Sequence, residues 1–181
     1  MDSTYVYTGG ICTIKGGGIT HVIVQDGVLS IDDEAFEGWD DLVSVHIASS
    51  VTRIGPGAFR ECYSLSSINL PTSLTDIGEG AFYECESLSV IDLPDSLIDI
   101  GVHAFNRCSS LSSIIIPPSI TRIKYGTFGN CISLSQVIIP PSVIEIGKSA
   151  FYECTSLTSI KLPIGIQTID DGAFYDCESL E

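Results

Sequence analysis

The amino-acid sequence predicts a solenoid, a fold in which short coils of chain stack along one axis. The segment Ala-Phe-Tyr-Glu-Cys occurs at residues 81–85 and again at residues 150–154, an interval of 69 residues, which is three times 23. Leucine, isoleucine, phenylalanine and cysteine each recur with the same step of 23 residues along the 181-residue chain. One coil of 23 residues is too short to bury its own apolar side, so we expect the coils to cover one another.

Four apolar columns keep the step of 23 residues without a slip. The leucine column consists of Leu42, Leu65, Leu88, Leu111, Leu134, Leu157 and Leu180. The phenylalanine column consists of Phe36, Phe59, Phe82, Phe105, Phe128, Phe151 and Phe174. The isoleucine column consists of Ile31, Ile54, Ile77, Ile100, Ile123, Ile146 and Ile169. The cysteine column consists of Cys62, Cys85, Cys108, Cys131, Cys154 and Cys177.

These columns divide the chain into an N-terminal cap, seven repeats and the start of an incomplete repeat. The cap is residues 1–18, and the incomplete repeat is residues 180–181. The seven repeats are residues 19–41, 42–64, 65–87, 88–110, 111–133, 134–156 and 157–179.

Each repeat is predicted to contain one strand, a second short extended segment and a short helical turn. Apolar and polar residues alternate over residues 65–70, as in a half-buried strand, and Pro71 then ends the strand because it lacks an N–H donor. Residues 74–77 form the second extended segment, after which Gly78 turns the chain. The apolar residues of segment 81–88 are spaced by one, three and three, which places them on one face of a short helical turn.

The repeat resembles the BspA-like, or Treponema-type, class of leucine-rich repeats. It reads L-x-x-[IV]-x-[IL], usually followed by Pro, then x-[SG]-[VIL]-x-x-I, a glycine-rich turn and A-F-x-x-C-x-[SD]. The resemblance covers residues 19–179 and implies a leucine-rich-repeat solenoid with a role in adhesion and protein contact, commonly on the surfaces of bacteria and protists. Local departures from the pattern are Trp39 for the first cysteine, Gln25 and Ala48 for proline, Thr127 for alanine, and Lys124 and Asp170 for the turn glycine.

The charge of the chain argues against two classes of partner. The sequence has 23 acidic and 8 basic residues, a net charge of −15, which opposes binding to nucleic acids and to anionic membranes. The N-terminus has neither a basic start nor an apolar run of signal-peptide length, and no segment approaches the ~18 apolar residues of a membrane span. The sequence as read therefore predicts a cytoplasmic protein. A cell-surface protein is the alternative if the chain is cut from a longer parent, as the stop inside a new repeat at residues 180–181 suggests.

Neither the cysteines nor the acidic clusters match a metal site, and no cofactor is predicted. Successive cysteines of the column fall on a line, so they do not surround a tetrahedral zinc ion, and we expect buried, reduced thiols. Neighbouring thiols would be roughly 5 Å apart, but parallel side chains disfavour a disulfide. The acidic clusters at residues 32–34, 40–41 and 170–171 lack the spacing of a calcium loop. His21 and His46, one coil apart, are a weaker alternative as a transition-metal pair.

Polar residues on the outward side of the strands include the residue types of a catalytic site, but not its surroundings. His46, Asn69 and Asp92 fall in one row, with Ser44 and Ser67 in the row beside it. A hydroxyl, an imidazole and a carboxylate are the groups of nucleophilic catalysis, but a flat solvated sheet offers neither a pocket nor free oxyanion donors. The sequence therefore predicts a protein that is not an enzyme.

The exposed row changes from polar to apolar along the solenoid. It runs Ile23, His46, Asn69, Asp92, Ile115, Ile138 and Lys161. Two neighbouring isoleucines on a solvent-facing row are unusual for an unused surface, and Gln136 and Lys161 border them. The predicted partner-binding residues are Ile115, Ile138, Gln136, Lys161, Asp92, Asn69 and His46.

Two functional hypotheses follow from these rows. The leading hypothesis is a non-catalytic module that binds a protein or peptide, or serves in adhesion, through the strand side of the solenoid. The alternative is a self-assembling repeat protein, such as a homodimer, that associates through an uncapped C-terminal coil or through Ile115 and Ile138. Tyr83, Tyr152 and Tyr175 lie on the turn side of the coils, where they either cover a neighbouring coil or form a contact surface.

Overall fold

The computed structural model of the protein describes residues 3–10, 12, 14 and 16–181. The chain winds into a parallel β-solenoid with coils of about 23 residues, which confirms the predicted fold class. Its strands are β1 (Thr4–Tyr7), β2 (His21–Val24), β3 (Ser30–Ile31), β4 (Ser44–Ile47), β5 (Arg53–Ile54), β6 (Ser67–Asn69), β7 (Asp76–Ile77), β8 (Asp99–Ile100), β9 (Ser113–Ile115), β10 (Arg122–Ile123), β11 (Gln136–Ile138), β12 (Glu145–Ile146) and β13 (Thr168–Ile169). Residues 1, 2, 11, 13 and 15 of the predicted cap lie outside the described part of the chain, and the boundaries of the cap and repeats stay a prediction.

The strands form two rows that run along the solenoid. The first row, which we call the strand face, consists of the sheet β1-β2-β4-β6 and the pair β9-β11, and all of its strand pairs are parallel. Alternation along β4 buries Val45 and Ile47 and leaves His46 exposed. The second row consists of the sheets β3-β5-β7-β8 and β10-β12-β13, whose strands have two residues each. Both rows are therefore interrupted near the middle of the chain.

The predicted helical turn is not confirmed, because no helix occurs among the described residues. In residues 57–62 the amide of Cys62 donates to the carbonyl of Phe59, three residues earlier, whereas the amide of Phe59 donates to the carbonyl of Ala81 in the next coil. Gly57 and Glu61 have φ angles of 60° and 58°, in the left-handed region. Two left-handed residues so close together prevent continuous α-helical winding, so the segment consists of tight turns that also bond to the next coil.

A stack of phenylalanine rings forms the centre of the core. Consecutive rings of the column lie 5.2–5.5 Å apart between centroids and are nearly parallel, from Phe36 to Phe174. Trp39, which replaces the first cysteine, lies edge-on to Phe36 at 5.0 Å and to Tyr5 of β1 at 5.6 Å. The tryptophan thus joins the N-terminal strand to the aromatic stack.

The cysteine column lies beside the phenylalanine stack as a row of free thiols. All six cysteines are buried, and each S–H donates to the carbonyl of the phenylalanine 26 residues earlier, at 3.0–3.2 Å. Cys12, outside the column, is only half-buried. The expectation of buried, reduced thiols agrees with this arrangement.

Candidate functional site

The polar half of the strand face is formed by β2, β4 and β6. Parallel pairing places His46 beside Ile23 on one side and beside Asn69 on the other. The neighbouring pair Ser44 and Ser67 is in the same register. Ile23, His46 and Asn69 line an open groove of about 780 Å³ together with the residues that follow their strands, so their geometry favours hydrogen bonding to a partner over catalysis in a closed site.

The apolar half of the strand face is centred on the pair of strands β9 and β11. Their register places Ile115 directly beside Ile138. Ile115 is 63% exposed and Ile138 is 47% exposed, whereas Ile114 and Val137, which alternate with them, are buried in the core. We call Ile115 and Ile138 the isoleucine patch. The structure thus exposes two neighbouring apolar side chains at the place where the exposed row changes from polar to apolar residues.

The remaining predicted site residues lie around this patch without forming one continuous ladder. Gln136 is exposed in β11, two residues from Ile138. Asp92 and Lys161 are exposed, but neither lies in a strand, and no strand pairing links either residue to its neighbours among the described residues. The register of the row is therefore fixed at His46 and Asn69 and within the patch, but not at its two charged members.

Val90 was missed by the sequence analysis. It lies two residues before Asp92 and is 55% exposed. Its position corresponds to Ser67 and Ser113 in the neighbouring coils, so an apolar residue in a column of polar ones was the signal that could have identified it. Val90 adds a third exposed apolar side chain in the coil before β9, in the segment where the strand face is interrupted.

The described residues contain no group of three or more histidine, cysteine, aspartate or glutamate side chains that could hold a metal ion. In the same part of the chain, no helix is long and apolar enough to span a bilayer.

The pattern of apolar columns and the coil geometry point to one repeat family. The sequence pattern described as the BspA type leucine rich repeat region matches residues 14–132 and 98–181, in six copies. The chain belongs to the BspA-type leucine-rich repeat family. Repeats of this family generally mediate protein–protein interaction or adhesion, and the proteins that carry them and match this chain are non-enzymatic repeat proteins.

Two solved structures illustrate the similarity of this BspA-type chain to known solenoids. A leucine-rich repeat protein of T. pallidum is 31% identical, with a TM-score of 0.60 over 76% of this chain and 77% of that chain. A leucine-rich repeat protein from Bacteroides ovatus is 27% identical, with a TM-score of 0.65 over 99% of this chain and 57% of that chain. The chain therefore spans little more than half of the Bacteroides protein. No curated protein matches the chain.

Proposed function

We propose that the protein binds a protein or peptide partner through its strand face, with the isoleucine patch at the centre of the contact. The observation that carries this proposal is the in-register exposure of Ile115 and Ile138 on β9 and β11. Full burial of an isoleucine side chain contributes about 1.5–3 kcal/mol. Two neighbouring isoleucines thus supply a substantial part of the free energy of a specific contact.

The polar residues around the patch fit the rim of such an interface. Gln136, Lys161 and Asp92 are exposed hydrogen-bonding or charged groups, and Asn69 and His46 extend the same face toward the N-terminal end. Interfaces generally combine an apolar centre with a polar rim that remains partly solvated. We therefore assign orientation and selectivity of the partner to these five residues, and most of the affinity to the patch.

The proposal predicts that an Ile115→Asp, Ile138→Asp double variant loses its partner. Replacing both side chains removes about 3 kcal/mol of apolar burial and places two charges in the contact, so partner affinity should fall by about 100-fold or more. The measurement is affinity capture from an extract of the producing organism, quantified by mass spectrometry. Leu29→Asp, Ile98→Asp is the matched control, because these residues are 67% and 59% exposed and lie outside the strand face. Capture of the same proteins by all three chains would contradict the proposal.

The same observation also favours one second candidate function, which is self-association through the patch. Two copies could bury their isoleucine pairs against each other, although the net charge of −15 opposes this at low salt. Light scattering coupled to size exclusion, at low and high salt, separates the two functions. Partner binding predicts that the wild type and both variants are monomers. A wild-type dimer that disappears in the patch variant and persists in the control would favour self-association.

A further inference from the structure

A cleft of about 470 Å³ opens on the turn side of the coils and shares no residue with the strand face. We call it the turn cleft. Its lining includes Arg60, Arg107, His103, Tyr83, Tyr125 and Tyr152. Gly126 also lines the cleft, and the absence of a Cβ there makes room for the imidazole of His103.

The lining of the turn cleft is free of carboxylates, in a chain with 23 acidic and only 8 basic residues. Carboxylates lie at its edge and satisfy the two arginines only in part. Arg107 Nη1 donates to Glu84 Oε1 at 2.7 Å, which occupies one of the five guanidinium donors. Arg60 Nη1 is 3.6 Å from Glu37 Oε1, beyond a normal hydrogen bond. The Arg60 and Arg107 side chains are 43% and 54% exposed, so the guanidinium nitrogens that these carboxylates leave free remain available to an anion, apart from the buried Arg60 Nε.

Two nitrogen atoms without hydrogen-bond partners belong to side chains that line the turn cleft. Arg60 Nε and His103 Nδ1 are the two buried side-chain polar atoms without a hydrogen-bond partner in the described part of the chain. The Nδ1 edge of His103 packs against Gly126, where a Cβ would lie 2.2 Å from it. The cleft therefore contains one arginine nitrogen and one imidazole nitrogen whose hydrogen-bonding capacity the protein leaves unused.

The arginine and tyrosine side chains form a surface typical of peptide recognition. The Arg60 guanidinium lies 5.2 Å from the centre of the Tyr83 ring, in a cation–π contact that fixes its plane. Planar guanidinium groups pair with carboxylates through two parallel hydrogen bonds, and tyrosine and arginine are enriched among the residues that dominate binding energy. These groups favour a carboxylate next to an apolar or aromatic side chain.

The length of the turn cleft favours an extended ligand over a single sugar acid. Arg60 and Tyr152 belong to coils that are four steps apart along the solenoid. Four steps of about 4.8 Å span roughly 19 Å. An extended peptide covers this distance with about six residues.

We propose that the turn cleft binds an acidic peptide segment whose carboxylates pair with Arg60 and Arg107 while its aromatic side chain packs on the tyrosines. This site is separate from the strand-face contact and does not depend on it. The carboxylates of the peptide pair with the guanidinium donors that Glu37 and Glu84 leave free, on the side of Arg60 away from Glu34 and Glu79 in the adjoining cleft.

The test uses fluorescence anisotropy of a labelled peptide, Glu-Tyr-Glu-Glu-Tyr-Glu, at a salt concentration of about 0.15 M, where the overall repulsion is screened. The proposal predicts that this peptide binds the wild type at least tenfold more tightly than the matched peptide Gln-Tyr-Gln-Gln-Tyr-Gln. This comparison needs no variant, so it stands even if a substitution disturbs folding. No binding of the acidic peptide, or equal binding of the two peptides, would overturn the proposal.

A pair of double variants locates the binding. The Arg60→Gln, Arg107→Gln variant should bind the acidic peptide at least tenfold more weakly than the wild type does. The Arg53→Gln, Arg122→Gln variant should bind the acidic peptide as tightly as the wild type does. It is a matched control because it changes the net charge by the same amount, through two exposed, ion-paired arginines outside the turn cleft. Equal weakening in both variants would show a non-specific charge effect and overturn the assignment. Glucuronate binding without peptide binding would overturn it in favour of a sugar acid.

Discussion

The protein is expected to lose stability steeply as the pH rises above about 9. Burial raises the pKa of the Cys62 thiol to about 12 from its ordinary value of 9.0. Burial also raises the pKa of Cys85, Cys108 and Cys131 well above 9.0. The folded protein therefore holds these thiols in the protonated form at pH values where the unfolded chain has already lost the protons.

The direction of the effect follows from proton binding. Between the unfolded pKa and the raised folded pKa, the native state binds more protons than the unfolded state, so stability is present below pH 9 and is lost as the pH rises. Each such thiol contributes a loss of about 1.4 kcal/mol per pH unit, and four contribute roughly 5 kcal/mol per unit. Domains are typically stable by about 5–15 kcal/mol. One to three pH units above 9 should therefore suffice to unfold the protein.

Urea unfolding midpoints between pH 8 and pH 11, with reductant present, measure this loss. A Cys85→Ala, Cys108→Ala variant is the control: it should be less stable at pH 8 but show a shallower decline, because two of the titrating groups are absent. Buried Tyr7, whose pKa is raised to about 12 by burial, should add to the decline in both proteins at the upper end of the range. Midpoints that stay level up to pH 11 would contradict the buried thiol column.

Phe105→Ala is expected to destabilise the protein by about 3–5 kcal/mol, the range for removing a fully buried aromatic ring. Phe105 is fully buried and stacks between Phe82 at 5.2 Å and Phe128 at 5.5 Å. Its loss leaves a cavity in the middle of the stack, and the coils on either side have no other ring to fill it. Because coils contact only their neighbours, unfolding should also become less cooperative.

Phe174→Ala provides the matched comparison for the aromatic stack. Phe174 is only half-buried and stacks on a single ring, Phe151, so its removal should cost less than half as much as that of Phe105. Urea unfolding of the two variants and the wild type at pH 7 makes the comparison. An equal loss from both substitutions would mean that the stack does not hold neighbouring coils together.

The 23-residue period was sufficient to predict the solenoid and the register of its columns, but not the turns. The spacing of segment 81–88 fits one face of a helix and also fits successive tight turns. The difference is made by two left-handed residues per coil. The first of the two positions is often glycine, as at Gly57 and Gly80, and glycine is a sequence signal for a positive φ. The second position is Glu61 in the same coil as Gly57, and glutamate gives no such signal.

The sequence pattern also did not predict where the two strand rows are interrupted. At the turn glycine the coils approach closely, since a Cβ on Gly101 would lie 2.4 Å from the backbone nitrogen of Glu79. Lys124 replaces this glycine and falls where β8 and β10 fail to pair. Asp170 replaces it too, yet its amide still donates to Ile146. Loss of the glycine alone therefore does not predict an interruption.

The two candidate sites differ in how far the sequence pattern could predict them. Strict periodicity placed Ile115 beside Ile138, because residues 23 apart on parallel strands must be neighbours. Periodicity also places Arg60, Tyr83 and Tyr152 in one column on the turn side, but it does not predict that this column meets the columns of His103 and Tyr125 in a cleft. Their proximity depends on the turn geometry, which the sequence analysis had assigned to a helix.

Site-specific photocrosslinking tests the central claim, binding through the strand face, most directly. A benzophenone amino acid replaces Ile115 in one chain and Ile98, a residue of similar exposure outside the strand face, in another. Both chains are irradiated in an extract of the producing organism. We expect a covalent adduct with a discrete partner protein from position 115 and none from position 98. Adducts of equal yield from both positions, or from position 98 alone, would contradict the assignment of binding to the strand face.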